Sequence, residues 1–421
     1  MTLALRTATD AVCLLAREEG ASPRVLLAMP YATTALPTPA TLTFVAGPSF
    51  VGPAEITARG VLGGSFVGGA TIVTTLSMPG TSEATLPIER CRARGTAGFG
   101  TRPGGTFAAL HSPQPRVIAG DYDADGRDEL MAIAADGTLA VLDAENASGG
   151  SRRESELVTM DGALVRSGDL DVDCRLDVVA AAGSGVLVAA SEDGASPAPV
   201  GIAPSDVAIG RVARTAPIRL VVAGGAGLSL VAPPGTTGVT TMLSPLPFAH
   251  VVAWDADGDG GTEIVATGTM GLLAFETAAG MERPMMMIPP SISVLHGPLA
   301  IGDVDDDGDI DLVVADAATI HIATRAGGLF HDASGASITM LDSAVVRVEA
   351  IDVDGDCADD VVAISQSGAV SVYRFTSATG GLTRIGMQSA ALDFAVGDVD
   401  GDGAREIALL GPGGRVTLWQ P

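Results

Sequence analysis

The sequence predicts an all-β chain, in which residues 103–421 form a seven-bladed β-propeller behind a small, sandwich-like β domain of residues 1–100. Three observations predict it. A ten-residue acidic motif recurs at intervals of 42 to 49 residues, the length of a four-stranded blade. Each intact copy runs directly into an apolar, strand-like stretch. The chain then stops one strand short of a complete last repeat, as a ring closed by its own two ends requires.

The most regular copy is Asp303-Val304-Asp305-Asp306-Asp307-Gly308-Asp309-Ile310-Asp311, followed by Leu312-Val313-Val314. Carboxylates at positions 1, 3, 5 and 9 around a turn-forming glycine can converge on one point. That arrangement suits Ca²⁺, which takes six to eight oxygens at roughly 2.3–2.6 Å. Position 7 would add a backbone carbonyl, and the position-9 carboxylate can bind bidentately. The closing acid comes three residues earlier than in an EF-hand and a strand follows it, so a helix–loop–helix reading fails.

Six intact copies give the candidate ligands. They are Asp121, Asp123, Asp125, Arg127 and Glu129, then Asp169, Asp171, Asp173, Arg175 and Asp177, then Asp255, Asp257, Asp259, Gly261 and Glu263. The later three copies supply Asp303, Asp305, Asp307, Asp309 and Asp311, then Asp352, Asp354, Asp356, Ala358 and Asp360, then Asp398, Asp400, Asp402, Ala404 and Glu406. Arg127, Arg175, Gly261, Ala358 and Ala404 enter through their carbonyls at position 7. About six structural Ca²⁺ are implied. Cys174 and Cys357 replace the position-6 glycine in two copies, where a Cβ disfavours positive φ and weakens the site. A seventh copy at Arg211 is damaged, with Arg211, Ala213, Thr215 and Arg219 at the ligand positions. It reads as a decayed site or as one in which a guanidinium replaces the ion.

These repeats resemble FG-GAP/VCBS repeats, as in the integrin α-subunit N-terminal propeller and many secreted bacterial proteins, over about three quarters of the chain. The resemblance implies a Ca²⁺-stabilised propeller, secreted or at the cell surface, acting in binding or adhesion.

In chain order, residues 1–100 lack the motif and read as short strands at Leu3–Arg6, Ala11–Ala16, Arg24–Met29, Ala40–Val45, Glu55–Val61, Ala70–Leu76 and Ala84–Ile88. Cys13 and Cys91 could tie first strand to last or remain buried thiols. Gly95–Gly105 reads as a linker. The first blade then has an inner strand Arg116–Gly120, the loop, a second strand Glu129–Ala134, a turn at Asp136-Gly137 and a third strand Thr138–Leu142. The last repeat ends with Ile407–Leu410, a turn at Gly411–Gly414 and Val416–Trp419. Its missing strand is assigned to Thr106–Leu110, which would close the ring.

Composition agrees with many short strands: apolar residues are 47%, aromatics only 4%, and glycine and proline number 54 and 25. The net charge of −26 originates largely in the loops, and six Ca²⁺ would reduce it to about −14. All 24 basic residues are arginine and they form no stripe, so nucleic-acid binding is not expected. Met1–Pro30 carries no recognisable secretory signal, so a leader lies upstream or export takes another route. Gly60–Ser82 is the apolar stretch to test as a membrane span; its glycine, threonine and valine content favours strand instead, so membrane contact would need an anchor elsewhere.

Structural calcium requires no chemistry. The leading expectation is a non-enzymatic scaffold for a protein or glycan ligand. A lectin is the alternative, with few aromatics to serve it, and a polysaccharide-degrading enzyme is a third. Trp254 and Trp419 fall in predicted strands and read as core. The five histidines show no metal spacing.

Overall fold

In a computed structural model of the chain, the described residues are 2–5, 11–18, 25–32, 40–41, 52–62, 65–76, 85–88, 100–108, 110, 115–122, 127–143, 152–156, 164–170, 176–182, 186–191, 194–199, 202–211, 218–232, 240–254, 262–276, 283–285, 291, 293, 295–307, 309–326, 329–332, 338–339, 342–356, 358–376, 381–400 and 405–420. The only helical element among them is a 3-10 turn at Pro412–Gly414, and no helix is long and apolar enough to cross a membrane. The chain is an all-β propeller preceded by a β-rich segment.

In that first segment Val25–Ala32, Ala11–Glu18, Gly52–Leu62 and Ser65–Leu76 make one antiparallel sheet in that order. Thr2–Leu5 lies between Ala40–Thr41 and Thr85–Ile88 in a second sheet, pairing parallel with the latter. Most of Gly60–Ser82 therefore lies in a hairpin of two strands. Cys91, like Cys174 and Cys357, lies outside the described residues.

From Val117 onward six sheets are each built from consecutive strands, with antiparallel registers throughout. Their inner strands are Val117–Gly120, Leu164–Gly168, Pro204–Arg211, Phe248–Trp254, Leu299–Gly302 and Val345–Ile351. A further sheet is composite: Asp393–Gly397, Glu406–Leu410 and Arg415–Gln420 are completed by Gly100–Thr106. Seven blades are expected from the sequence; among the described residues six are self-contained, and the remaining sheet is completed by both ends of the chain, as the closure reading requires.

The closing strand also lies earlier than Thr106–Leu110. Thr106 pairs with Arg415, Arg102 with Leu418 and Gly100 with Gln420, whereas Leu110 makes only an isolated bridge to Ala134. Residues 100–105 of the segment assigned as a linker are thus strand. An outermost strand needs one ladder only, so Pro103 is tolerated there. Gly104 is required, because a Cβ would come within 2.9 Å of the Leu418 and Val416 side chains.

The core lies between sheets. The second strands Glu129–Ile133, Glu263–Gly268, Asp360–Ser365 and Glu406–Leu410 are buried along their whole length. Apolar clusters join each sheet to the next. Ile118, Met131 and Leu139 meet Val165, Leu176 and Val178. Leu130, Leu142 and Phe107 meet Ala408, Leu410 and Leu418 where first and composite sheets adjoin. Trp254 is fully buried and packs edge-on to Phe330, with centroids 6.1 Å apart.

One cation fastens the closure. Arg347 Nη1 donates to the Val117 carbonyl at 3.1 Å, to Asp393 at 2.8 Å and to the Phe394 carbonyl at 2.7 Å, with its guanidinium 4.9 Å from the Phe394 ring centroid. It also contacts Glu349. Arg347→Ala should leave the buried Asp393 short of its main counter-charge and cost about 3–5 kcal/mol in urea unfolding. A loss below about 1 kcal/mol would remove Arg347 from this role. Deleting residues 100–106 should expose the Arg415–Gln420 edge and cause aggregation in size-exclusion chromatography, whereas deleting residues 1–95 should leave a soluble propeller. The reverse pattern would refute this assignment of the closing strand.

Candidate metal centres

Each described loop is built the same way. The inner strand ends at a position-1 aspartate, buried in Asp121, Asp169, Asp303 and Asp352 and half-buried in Asp398. Position 2 is an apolar anchor pushed between sheets: Tyr122, Leu170, Val304, Val353 and Val399 are all buried. Position 9 opens the second strand, and its carboxylate folds back to accept the position-2 amide. The distances are 2.8 Å for Glu129 with Tyr122, 2.8 Å for Asp177 with Leu170, 2.9 Å for Asp311 with Val304, 3.3 Å for Asp360 with Val353 and 3.1 Å for Glu406 with Val399.

Each of these position-9 carboxylates thus also holds the backbone of its own loop. One carboxylate oxygen is hydrogen-bonded to the loop's own backbone, and the other has separate surroundings. In Asp311 this second oxygen accepts from the Arg325 amide at 2.8 Å, and in Glu406 from Gln420 Nε2 at 2.7 Å. In Asp360, which is 1% exposed, it is buried with no hydrogen-bond partner.

Among the described residues, three groups of carboxylates converge within reach of one ion: Asp303, Asp305 and Asp311; Asp352, Asp354 and Asp356; Asp398, Asp400 and Glu406. Asp305 Oδ1 is likewise buried with no hydrogen-bond partner. Burial and mutual repulsion raise these acids. Asp311 and Asp360 are pushed up to about 8, chiefly by burial and then by neighbouring aspartates. Glu406 rises to about 7 and Asp305 to about 6, in each case with burial as the first cause. A cation among them would reverse that cost.

Other expected ligands lie along the same loops. Asp307 and Asp309 lie outside the Asp303 group: the Asp307 carboxylate accepts the Asp309 amide at 2.9 Å, and Asp309 reaches toward Arg325 at 3.8 Å. The Ala358 amide donates to Asp356 at 3.2 Å. Arg127 is exposed beside its loop, while Glu263 is buried at the head of its strand. Asp123, Asp125, Asp171, Asp173, Arg175, Asp255, Asp257, Asp259, Gly261, Asp402 and Ala404 lie outside the described residues, as do Ala213 and Thr215 of the damaged copy. Arg211 ends an inner strand there and Arg219 lies in the next strand.

The backbone also locates the tight point of the loop at position 4. Asp306 has φ 60° and Gly355, the equivalent residue, has φ 77°. Glycine reaches this left-handed region without strain, and aspartate is among the few other residues that do so readily.

Three contacts escaped sequence reasoning because they depend on strand pairing. Arg374 lies against Asp354, with its Nε 3.0 Å from Asp356 and 3.8 Å from Asp360. Arg102, on the closing strand, contacts Asp400 at 2.5 Å. Gln420 sits opposite Glu406 and meets it. These groups lie on third strands (Arg374, Gln420) or on the outermost one (Arg102), 14 to 298 positions from their partners.

A cavity of about 350 Å³ lies among the inner strands, lined by Arg116, Arg166, Asp206, His250, Arg347 and Glu349 with apolar neighbours. Its charges are paired. Arg166 meets Asp206 at 2.6 Å, His250 lies 3.7 Å from the same carboxylate, and Arg116 lies 3.3 Å from Asp393. Burial opposes ionisation of Asp206, but Arg166 and His250 hold it below the usual carboxylate range.

The family model described as FG-GAP-like repeat matches residues 303–363 and 352–409. Among solved structures, BBS1N in complex with ARL6DN, soaked with lead, is similar at a TM-score of 0.54 and 15% identity, covering 76% of this chain and 95% of that chain. The same complex soaked with mercury gives a TM-score of 0.52 and 14% identity, with 76% and 95% covered. At these identities the likeness is one of fold. No curated protein matches the sequence. The two matched segments contain the Asp303, Asp352 and Asp398 loops described above, so residues 303–409 of this β-propeller carry FG-GAP-like repeats.

Proposed function

We propose that this propeller is a calcium-stabilised, non-enzymatic binding scaffold acting outside the cytoplasm, its ring counted as seven blades with the composite sheet as the seventh. The observation that carries the reading is the convergence of carboxylates at three described loops, together with the buried oxygens of Asp305, within one group, and of Asp360, in the same loop as another, that have no hydrogen-bond partner. A divalent cation held by Asp303, Asp305 and Asp311, and by the corresponding acids of the other loops, would neutralise charge that burial otherwise makes costly. In the Asp352 loop it would compete with the Arg374 guanidinium. The role of the ion is to lock the turn between first and second strands, and no reaction step depends on it.

A protein ligand is favoured over a glycan. Trp254 and Trp419 are buried in intersheet clusters and offer no stacking face for a sugar ring. At the level of fold alone, the similar BBS1N structure is a complex with ARL6DN. The extracytoplasmic setting rests on the calcium reading, since loops of this kind need free Ca²⁺ near millimolar levels when their affinity is modest.

Ligand linkage predicts about 2.7 kcal/mol for each site held at 100 times its Kd. Melting in millimolar Ca²⁺ should therefore occur well above melting in excess EDTA, and identical curves would sink the reading. Calcium analysis should return about six ions per chain, and Asp305→Ala should remove one of them; a wild-type count near zero would exclude structural calcium.

The pH dependence has a definite sign. Below about pH 4 Asp311 and Asp360 are protonated in both folded and unfolded chains, so they add no penalty. As pH rises toward about 8 the unfolded chain ionises freely, while these folded carboxyls ionise only at a cost, so EDTA-treated protein loses stability across that window. Bound Ca²⁺ favours the ionised form. The Ca²⁺-dependent gain in melting temperature should accordingly be larger at pH 8 than at pH 5, and an equal or smaller gain would contradict it.

A further inference from the structure

Two loops are fastened to the loop of a neighbouring sheet by the residue just before their position-9 acid. Asp359 accepts the Asp303 amide through Oδ2 at 2.9 Å, and its own amide donates to the Asp303 carbonyl at 2.8 Å. Asp128 repeats the arrangement with Asp398, accepting its amide at 2.8 Å and donating to its carbonyl at 2.9 Å. Both clasps need the glycine before position 1. A Cβ on Gly302 would lie 2.5 Å from Asp359 Oδ2, and one on Gly397 would lie 2.6 Å from Asp128 Oδ2.

Elsewhere the same place is filled without an acid. Leu176 packs on Gly120 and Thr262 on Gly210 in the equivalent contact, and Ile218, Ile310 and Arg405 hold position 8 in the remaining copies. The carboxylate clasp thus joins two pairs of loops: Asp303 with Asp352, and Asp398 with Asp121.

We propose that Asp359 and Asp128 are positioning residues that couple cation binding between neighbouring blades, so that these four loops fill as two cooperative pairs while the Asp169 and Asp255 loops fill independently. The inference rests on the calcium reading above. Its physical basis is that each clasp grips a position-1 aspartate, itself a member of a carboxylate group, and is one peptide bond from the position-9 acid of the other loop. An ion in the Asp352 loop orders Asp360 and with it Asp359. Asp303 is then held before its own ion arrives, and the second ordering step costs less. The effect is reciprocal, because a coupling free energy has the same size from either side.

The test uses the full chain, titrated with Ca²⁺ and followed by hydrogen–deuterium exchange mass spectrometry in peptides covering each loop. Asp354→Ala removes a carboxylate from the Asp352 loop and touches none of the Asp303 group. It should raise the Ca²⁺ midpoint of the Asp303 loop at least about 5-fold and leave the Asp169 loop unchanged. Asp359→Leu copies the packing that Leu176 already has on Gly120, so it should fold, and in that background Asp354→Ala should no longer shift the Asp303 loop. Asp359→Asn, which keeps the shape, should weaken the coupling in the same direction. Two binding loops with no shift in Asp354→Ala, or a shift that survives Asp359→Leu, would overturn the coupling alone. A wild-type chain with no Ca²⁺-dependent protection in any loop would overturn the calcium reading and this inference with it.

Discussion

The structure depends on one constraint: a four-stranded sheet apolar on both faces cannot be buried alone. Strands such as Glu406–Leu410 and Asp360–Ser365 are buried at every residue, which leaves no solvated face and forces each sheet against two others. The first and last sheets face the same demand, and a closed ring satisfies it without leaving an open edge. Apolar clusters therefore lie between sheets, and the middle of the ring can be polar. Arg116, Arg166 and Arg347 line the central cavity beside Asp206, Glu349 and Asp393, where guanidinium and carboxylate fix the inner strands to one another.

The acidic loops belong to this packing. Position 2 inserts toward one neighbouring sheet, as Tyr122 does beside Val165 and Val178. Position 8 faces the other way, as Leu176 does beside Ile118 and Met131. The position-9 back-bond ties these anchors together across the turn. Whatever orders the loop therefore stiffens two interfaces at once, which is why a bound cation at so small a turn can bear on the stability of the whole ring. It also explains the spacing, since shortening the loop by one residue would exchange which side chain points into the core.

The repeat was legible in the sequence because its parts are local. The spacing of Asp303, Asp305 and Asp311, the apolar run after them and the Asp136-Gly137 turn each act within a few residues, and the strands Glu129–Ile133 and Thr138–Leu142 fall where that grammar puts them. The closing strand was not so legible. Gly100–Thr106 contains Pro103 and three glycines, which read as a linker; it is a strand because Arg415–Gln420 offers an unpaired edge, and an outer position tolerates what a central one would reject. The Pro-rich outer strand Gly194–Pro199 survives for the same reason.

By itself the sequence determined the all-β class, the repeat, the placing of the acidic loops before the second strands and the need for closure, because these follow from residue spacing and alternation along the chain. Only the tertiary structure decided which strand closes the ring, that each described position-9 acid but Glu263 accepts the position-2 amide of its own loop, and that Arg374, Arg102 and Arg347 reach acids outside their own strands. It also decided that Asp359 and Asp128 grip the next loop, where an acid before the closing acid reads as one more solvated charge. The physical reason is that these contacts arise from register and from the juxtaposition of sheets, and neither is encoded in any short stretch of residues.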